Sequence, residues 1–555
     1  MIFRPKLSPR PFNLPKVYID NKMIEVVEEK RVLGTIIDNE LNFDGHFTHV
    51  EKACYSALNT IKHLYTSSHK PSLDTGTTLF KTLIRQIMDY STVAITNISE
   101  KQLQKMQSIQ HKCLRLITQT LSSSSKEVLN LTTNILPIDL HFKLRASESL
   151  ARIMSKSSPI NTSYESWRNS NMRSKCTKII TTYRKMELAS QQILQKNLNQ
   201  HEVLKVKLHN IKFPPFVQTS VIIPSEKTKE QQKIKVVSLM MESNEYEFVI
   251  GTDGSTMKYD NNSSLGPSAA AAIVFRRDNM RHPIDTLQRN LGSISHNYEA
   301  ELTGIQLALQ YLQQQKISNT KVLVVCDCVP AIEATFTNKI TRDYNHIIMN
   351  NKEILNDLEK TSNNKIDVIW APGHEGIQLN EIADVVAKEE AAKRMKVQRP
   401  LERKVVLTHL KQQVLKNWQR RVDIELSNHQ VSEINAAVNT WKMHNIKGIN
   451  HLMRLITGHH FLNSFQSKLY PSRISKNCSC GQVETLHHFL FLCQKYMRIR
   501  LKWYYKVVGI IEEIEALNHM SLTTAFGQRD DLSEEKNKLL QESICTYIME
   551  TKRFI

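Results

Sequence analysis

The spacing of apolar residues changes along the chain and divides it into regions. In the first region apolar residues recur every three or four positions, for example at Val50, Ala53, Ala57, Leu58, Ile61 and Leu64. The stretches "LFKTLIRQIM" and "LQKMQSIQHKCLRLI" repeat this spacing, which is typical of amphipathic helices. Ahead of them, "KVYIDNKMIEVVEEKRVLGTIIDNELNF" alternates like short strands. We therefore predict a mainly helical region over residues 1–215.

A change of pattern follows this region. A polar, lysine-rich stretch containing "PSEKTKEQQKIK" predicts a linker over residues 216–244. Beyond it, the runs "YEFVIGTDGS", "AAAAIVFRR", "KVLVVCDC" and "KIDVIWAPG" are typical of strands. The stretches "NYEAELTGIQLALQYL" and "NEIADVVAKEEAAKRM" between and after them are typical of helices. Strands that alternate with helices predict an α/β domain, here over residues 245–396.

The rest of the chain again has mainly helical patterns. We predict a basic helical region over residues 397–470, a short module rich in cysteine and histidine over residues 471–500, and a helical tail over residues 501–555. The expected fold is thus an α/β domain between two mainly helical regions.

The net charge narrows the classes of partner. The 555 residues carry a formal charge of +20, and an excess of that size favours a polyanion such as nucleic acid. A chain of this length is also expected to form several domains rather than one core.

The lack of a secretory or membrane signal in the sequence pattern and the distribution of cysteines favour an intracellular protein. No apolar run approaches the ~18 residues that a membrane helix needs, and the proline-marked first residues lack the apolar core of a secretory signal. The nine cysteines are scattered and odd in number, unlike a disulfide framework, which favours a reducing compartment. We therefore expect neither secretion nor a membrane partner; the pattern does not separate the nucleus from other intracellular compartments.

Four acidic residues of the α/β region stand where a binding site is expected. Asp253 ends the first strand, Glu301 lies in the first helix, Asp327 ends another strand, and Asp384 lies in the last helix. Each alone is explained by a turn, a solvated helix face or a cap. Together, they lie near the carboxyl ends of strands, where α/β sheets bind ligands. Mg²⁺ or Mn²⁺ would relieve their repulsion, and two such ions can support phosphodiester cleavage.

A second cluster of metal-ligand residues lies near the end of the chain. In "CSCGQVETLHHFLFLC", Cys478, Cys480, His488 and Cys493 offer three thiolates and an imidazole, a set that suits a closed structural Zn²⁺ site. Gly481 is expected to form the turn between ligands. His487 remains an alternative ligand, and free cysteines with core histidines remain an alternative to any metal site.

The motifs of the α/β region resemble those of the type 1 ribonuclease H domain. "TDGS", "AEL", "VVCDC" and "APGHEGIQLNEIAD" occur in that order and at suitable distances over about 150 residues. The resemblance implies a mixed five-stranded sheet with flanking helices. It also implies a metal-dependent endonuclease that hydrolyses the RNA strand of an RNA–DNA hybrid, with Mg²⁺ or Mn²⁺ and two ions per active site.

The resemblance assigns roles to individual residues. Asp253, Glu301, Asp327 and Asp384 match the metal-binding and catalytic acids, and His374 matches the histidine of a mobile loop, which Gly373 would allow to swing. Glu299 is a rival of Glu301, but two residues that far apart on a helix face different directions. The residues that the resemblance places on the substrate are Gly254, Ser255, Asn297 and Asn380.

The sequence departs from the family pattern at two places. Cys328 stands where serine usually follows the third acid, and the stretch "GPSAAAAIV" is alanine-rich where glycine is usual. Neither change removes an acid, so hydrolytic activity is still expected. The property that the two changes affect is the expected affinity for an RNA–DNA hybrid.

The flanking regions resemble parts of non-LTR retrotransposon proteins. The N-terminal segments "RVLGTIIDNELNF" and "LQKMQSIQHKCLRLI" are similar to the region after the palm of their reverse transcriptases, and similar Cys/His clusters follow the ribonuclease H domain in many of them. The paired aspartates of a polymerase are absent: Asp530 and Asp531 begin a polar helix.

Two functions follow from these features. The first is an active hybrid ribonuclease derived from a retroelement, with other retroelement proteins as partners. The second is a non-catalytic nucleic-acid-binding protein from a decayed element. The intact set of acids favours the first.

Overall fold

A computed structural model describes the chain over residues 17–66, 70–155, 185–186, 188–189, 219–225, 228–242, 245–258, 264–339, 344–395, 397, 399–427, 437–438, 440–458, 460–512 and 520–554. The described residues form two compact units. The first comprises those of Met1–Leu150, Trp167–Lys196 and Gln413–Ile555, and the second those of Ala151–Ser166 and Asn197–Gln412.

The N-terminal part of the first unit begins with two short hairpins and continues as helices. The strands pair antiparallel as β1 with β2 and β3 with β4. A π-helical turn, Phe80–Arg85, joins two of the helices. The elements are β1 (Tyr18–Ile19), β2 (Lys22–Met23), β3 (Glu29–Val32), β4 (Thr35–Asp38), α1 (Asp44–Thr66), α2 (Leu73–Leu79), α3 (Gln86–Asp89), α4 (Thr92–Thr96), α5 (Glu100–Thr118), α6 (Lys126–Thr132) and α7 (Ile138–Met154).

The helix α1 shows how the predicted pattern translates into burial. Val50, Leu58 and Ile61 are buried, as their spacing predicts, but Leu64 is 42% exposed. The buried stripe continues through Tyr65 instead, because positions 58, 61 and 65 follow the helical repeat more closely.

The second unit contains a sheet with helices. Its elements are β5 (Ser220–Ile222), α8 (Lys229–Glu242), β6 (Phe248–Thr256), β7 (Leu265–Arg276), β8 (Asp285–His296), α9 (Asn297–Gln314), β9 (Lys321–Cys326), α10 (Val329–Phe336), α11 (Asn345–Lys360), β10 (Lys365–Trp370) and α12 (Gln378–Ala392).

The sheet is mixed, as predicted, but it has six strands rather than five. The order is β5-β10-β9-β6-β7-β8. The strands β5, β10, β9 and β6 run parallel to one another, whereas β7 pairs antiparallel with both β6 and β8. The extra strand β5 is only three residues long, too short for a periodic pattern, which is why the sequence did not reveal it.

The stretch predicted as a linker, 216–244, is therefore partly regular structure. It contains β5, which extends the sheet, and α8, whose Val236 and Met240 are buried in the core of this unit. Its pattern is polar because, among the described side chains of α8, only Val236 and Met240 are buried. In the same core, Val249, Leu323 and Ile369 come from three neighbouring strands.

From Gln413 onward the chain belongs to the first unit, and residues 403–412 of the helix that begins at Arg403 belong to the second. A π-helical turn, His488–Leu492, and a 3₁₀ turn, Gln494–Tyr496, lie just before the final helices of the chain. The elements are α13 (Arg403–Ser427), α14 (Ile449–Ile456), α15 (Asn463–Leu469), α16 (Met497–Ile511), α17 (Leu522–Ala525) and α18 (Glu534–Glu550).

The N-terminal and C-terminal helices of the first unit are joined by polar contacts. The Arg421 guanidinium donates to both carboxylate oxygens of Asp139, at 2.5 and 3.1 Å. Arg454 Nε donates to the carbonyl oxygen of Gln119 at 2.8 Å. The regions predicted separately at the two ends of the chain are thus parts of one unit.

None of the helices within the described residues has the length and apolar character to span a membrane.

Candidate active site and Cys/His cluster

Two of the predicted acids follow paired positions of neighbouring parallel strands. Thr252 in β6 lies opposite Cys326 in β9, and Asp253 and Asp327 are the next residues of each chain segment. Because parallel strands point the same way, both carboxylates emerge at the same edge of the sheet. Both are largely buried there.

Gly254 allows the third acid to reach this edge. A Cβ atom at Gly254 would lie 2.2 Å from the backbone nitrogen of Glu301 and 2.4 Å from the carbonyl carbon of Ala300. Only glycine therefore lets α9 pack this closely on β6. The close approach brings the Glu301 side chain against Asp253, and the two carboxylates interact electrostatically.

The structure separates Glu301 from its rival Glu299. Glu299 is fully buried but paired: Arg399 donates to both its oxygens, at 2.5 and 3.0 Å, and Ser295 donates at 2.8 Å. Glu301 instead faces the acids. Its Oε1 accepts from Asn297 Nδ2 at 3.2 Å, while its Oε2 is buried without any hydrogen-bond partner.

Asp327 is held by residues of three other segments. The side chain of Asn380, at the start of α12, hydrogen-bonds its carboxylate, and Trp370 Nε1 donates to its carbonyl oxygen at 2.8 Å. A Cβ at Gly373 would lie 2.8 Å from Asp327 Oδ2. The absence of a Cβ at Gly373 thus leaves room for the Asp327 carboxylate, and the expectation that Gly373 lets the loop swing stays a prediction.

The last acid and the histidine lie next to each other. His374 Nδ1 is 3.9 Å from Asp384 Oδ2, and the His374 side chain is 78% exposed. Lys388, one turn further along α12, donates to the same oxygen of Asp384 at 2.6 Å. His374 itself adopts a left-handed backbone with φ of 58°, and Gly376 follows with φ of 75°.

The four acids perturb one another. Burial first, and then the negative charges of Asp327 and Asp384, raise the pKa of Asp253 to about 7. Burial and the charges of Asp253 and Asp327 raise the pKa of Glu301 well above its usual range. Burial also raises the pKa of Asp327, against the lowering effect of the Asn380 hydrogen bond. Asp253, Glu301 and Asp327 thus lie in an environment that disfavours their negative charge.

This donor set fits hard divalent cations. The carboxylates are oxygen ligands of the type that Mg²⁺ and Mn²⁺ prefer, and the buried, unpartnered Glu301 Oε2 is an acceptor that a cation would satisfy. Oxygens of Glu301 and Asp327 and the sulfur of Cys326 lie within 4.8 Å of one another. Cys326 is a member of this group that sequence reasoning missed, because its strand position indicated only core packing.

The residues predicted to bind substrate lie at this edge of the sheet, but most of them already contact other side chains or are buried. Asn297 and Asn380 contact Glu301 and Asp327, and Ser255 is buried. Contact of these residues with a substrate stays a prediction. Lys388 and Trp370 are further site residues that no sequence signal indicated, since one lies on a solvated helix face and the other ends a strand.

The predicted Cys/His cluster is assembled in the first unit. Ligand atoms of Cys478, Cys480, His488 and Cys493 all lie within 4.8 Å of one another. Cys480 Sγ lies 3.3 Å from His488 Nε2, and Cys478 Sγ lies 3.7 Å from Cys493 Sγ. Gly481 has φ of 91° and makes the turn after the second cysteine, as expected.

The alternative ligand, His487, points elsewhere. Its ring packs edge-on against Phe491, at 5.1 Å between ring centroids, and it is exposed. A hydrogen bond from the backbone of Gln482 lowers the pKa of the Cys480 thiol, whereas burial raises that of Cys493 to about 11.

Comparison with known proteins shows which family model matches the sheet-containing part of the second unit. Residues 245–392 match the family model of RNase H, so this part of the chain is an RNase H domain, as the sequence motifs predict. A search of the curated proteins finds no significant match to the chain.

Several solved structures resemble the same quarter of the chain. The N-terminal RNase H domain of Rv2228c from Mycobacterium tuberculosis is 18% identical, with 26% of this chain and 94% of that chain covered and a TM-score of 0.22. The RNase H domain of prototype foamy virus is 18% identical, with 27% and 98% covered and a TM-score of 0.23. LC11-RNase H1 from compost, in complex with an RNA/DNA hybrid, is 17% identical, with 26% and 97% covered and a TM-score of 0.22.

Proposed function

We propose that the second unit hydrolyses the RNA strand of RNA–DNA hybrids and that Asp253, Glu301, Asp327 and Asp384 hold the divalent cations for this reaction. The observation that carries the proposal is the convergence of four acids at one sheet edge, where Glu301 Oε2 is buried without a partner. A protein keeps such a cluster at a cost in stability, and clusters of perturbed carboxylates are typical of functional sites.

The chain's own residues prepare this site. Asn297 and Asn380 hold the carboxylates of Glu301 and Asp327 in place, so that neither has to be ordered during the reaction. When bound, two Mg²⁺ or Mn²⁺ ions would activate a water molecule and stabilise the leaving oxygen. The match of residues 245–392 to the RNase H family supports the choice of a hybrid as substrate.

His374 is proposed to carry protons. Its Nδ1 faces Asp384, which leaves Nε2 free to exchange a proton with the attacking water or the leaving oxygen. The exposure of the ring supports this role, because a proton carrier has to reach both substrate and solvent.

The test is incubation of the full chain with end-labelled RNA–DNA hybrid, duplex RNA and duplex DNA. With Mg²⁺ or Mn²⁺ we expect endonucleolytic cuts in the RNA strand of the hybrid alone, and none with EDTA. Binding of the hybrid without cleavage would favour the second function, a nucleic-acid-binding protein from a decayed element.

We also propose that Cys478, Cys480, His488 and Cys493 bind one structural Zn²⁺. Three thiols and an imidazole within ligand distance of one another support a closed site. Burial of three of the four ligands also suits a structural site rather than a catalytic one.

A non-LTR retroelement origin is proposed for the whole chain. The order of helical region, RNase H domain and Cys/His cluster supports it. The genomic DNA beside the coding region tests it: the remains of a polymerase reading frame are expected there, and unrelated host sequence on both sides would contradict the proposal.

A further inference from the structure

The segment that carries His374 has an unfavourable backbone conformation at that residue. Residues 372–377 connect β10 to α12, and His374 itself lies in the left-handed region with φ of 58°. A residue with a Cβ atom disfavours that conformation, because the Cβ comes too close to the carbonyl oxygen that follows it. With a side chain 78% exposed, His374 does not anchor the segment by its own burial.

The helix α8 packs directly behind this segment. Val236 and Met240 of α8 are buried in the same apolar cluster as Ile377, Leu379 and Ala383. Ile377 is the last residue of the segment, and Leu379 follows it just before Asn380, which holds Asp327. The contact therefore joins α8 to the part of the chain that sets the position of both His374 and Asn380.

Two lysines of α8 also reach the segment itself. Lys229 Nζ forms an ion pair with Glu375 Oε1 at 3.1 Å, next to His374 in the chain. Lys233 Nζ lies 3.0 Å from the position that a Cβ atom of Gly376 would take, so its ammonium group lies against the backbone there. The far end of α8 is fixed as well, because Arg277 donates to the carbonyl oxygen of Met240.

This helix is not part of the matched RNase H domain, which begins at residue 245. We propose that α8 is a positioning element for the 372–377 segment, and that Lys229 and Lys233 hold it in the conformation that places His374 beside Asp384. The effect on turnover rests on the proposed hydrolase function; the effect on the conformation of the segment does not.

Hydrogen exchange in the full chain tests the conformational part. In Lys229→Glu the ion pair becomes a repulsion, and because exposed pairs contribute up to about 1 kcal/mol, amides of residues 373–377 should exchange about fivefold faster. The swap Lys229→Glu/Glu375→Lys should restore slow exchange. Lys339→Glu, which reverses a similar exposed ion pair with Glu333 in the same unit, is the matched control and should leave the segment unchanged.

Turnover of the RNA–DNA hybrid tests the consequence for His374. Lys229→Glu should lower kcat about threefold to fivefold with KM unchanged, and the swap should restore kcat. In a His374→Ala background, Lys229→Glu should have no further effect, because the group that it positions is gone. A lower kcat that persists in that background would contradict positioning of His374.

The exchange result decides the proposal whatever the enzyme does. Unchanged exchange of residues 373–377 in both Lys229→Glu and Lys229→Glu/Lys233→Glu overturns it. If the wild-type chain cleaves no hybrid but the exchange follows the expected pattern, the proposed hydrolase function is wrong and the positioning role of α8 stands.

Discussion

At the residue scale, the buried charge of the acid cluster has a measurable effect on stability. The pKa of Asp253 is about 7 in the folded protein and 3.8 in its ordinary state. The folded state then binds the proton more tightly, so this residue favours folding fully below about pH 4, and the contribution is lost as the pH rises through 7. Without divalent cations, the protein is thus destabilised at neutral pH.

We predict that Asp253→Asn stabilises the metal-free protein at pH 8 by about 2–4 kcal/mol and has little effect at pH 4. Hydrogen exchange of the β6 amides in EDTA, measured in the full chain, follows the unfolding of this unit. Adding Mg²⁺ should slow exchange in the wild type and not in the variant. An effect of equal size at both pH values would show that charge burial is not the cause.

The role of His374 leads to a second residue-level prediction. Because the ring is exposed, His374→Ala should keep the fold and the affinity for a hybrid but slow turnover by about 10²-fold. The exposed His282 of the same unit provides the control, and His282→Ala should leave both turnover and the affinity for a hybrid unchanged. Loss of hybrid binding in His374→Ala would instead make the residue part of the binding surface.

The identity of the acids could be predicted from the sequence because it depends on motif order and helical spacing. Glu301 and Glu299 are two positions apart, so their opposite environments follow from helix geometry. The contacts that hold the acids could not be predicted. Asn380 lies 53 residues beyond Asp327 in the numbering, and the need for glycine at position 254 appears only when α9 packs on β6.

At the element scale, the Cys/His cluster is a short module whose regular structure is slight. Its residues lie mostly in turns and in the π-helical turn His488–Leu492 rather than in long helices or strands. The free energy of metal binding would then be a large part of what orders this module.

We predict about one zinc ion per purified chain, measured by elemental analysis. Cys493→Ser and His488→Ala should lose it, and His487→Ala should keep it, because the His487 ring packs on Phe491 outside the cluster. No zinc in the wild type, or loss in His487→Ala alone, would refute this ligand set.

Two elements that sequence patterns failed to reveal, β5 and α8, share a physical cause. β5 has three residues and α8 presents mostly polar side chains, so neither has enough buried positions to produce a periodic signal. Long strands such as β7, buried over nearly its whole length, were recognised from an apolar run alone. A fragment that retains the whole six-stranded sheet and the helix packed in its core therefore has to include β5 and α8.

At the scale of the whole molecule, the charge is distributed unevenly. Residues 197–412 contain 27 lysines and arginines and 25 aspartates and glutamates, a net charge of +2 out of the total of +20. The excess positive charge thus belongs almost entirely to the rest of the chain. A polyanion should interact with those regions even though the acids for hydrolysis lie elsewhere.

We therefore predict that the full chain binds a hybrid more tightly than residues 197–412 do, with a steeper loss of affinity as salt increases. Each additional phosphate contact adds nearly one to the slope of log K against log salt concentration. Fluorescence anisotropy of one labelled hybrid, titrated at several salt concentrations with Ca²⁺ in place of Mg²⁺, measures both slopes. Equal slopes would mean that the basic regions do not contact the substrate.

The most direct measurement is the rate of hybrid cleavage by Asp327→Asn. The substitution keeps the size of the side chain and its contact with Asn380, but it removes one of the charges that the cations require. We expect the full-length variant to retain hybrid affinity in the presence of Ca²⁺ and to lose cleavage with Mg²⁺ by about 10³-fold or more. Asp285→Asn, in the same unit but not among the four acids, should cleave like the wild type. Cleavage by Asp327→Asn at the wild-type rate would contradict the assignment of this site.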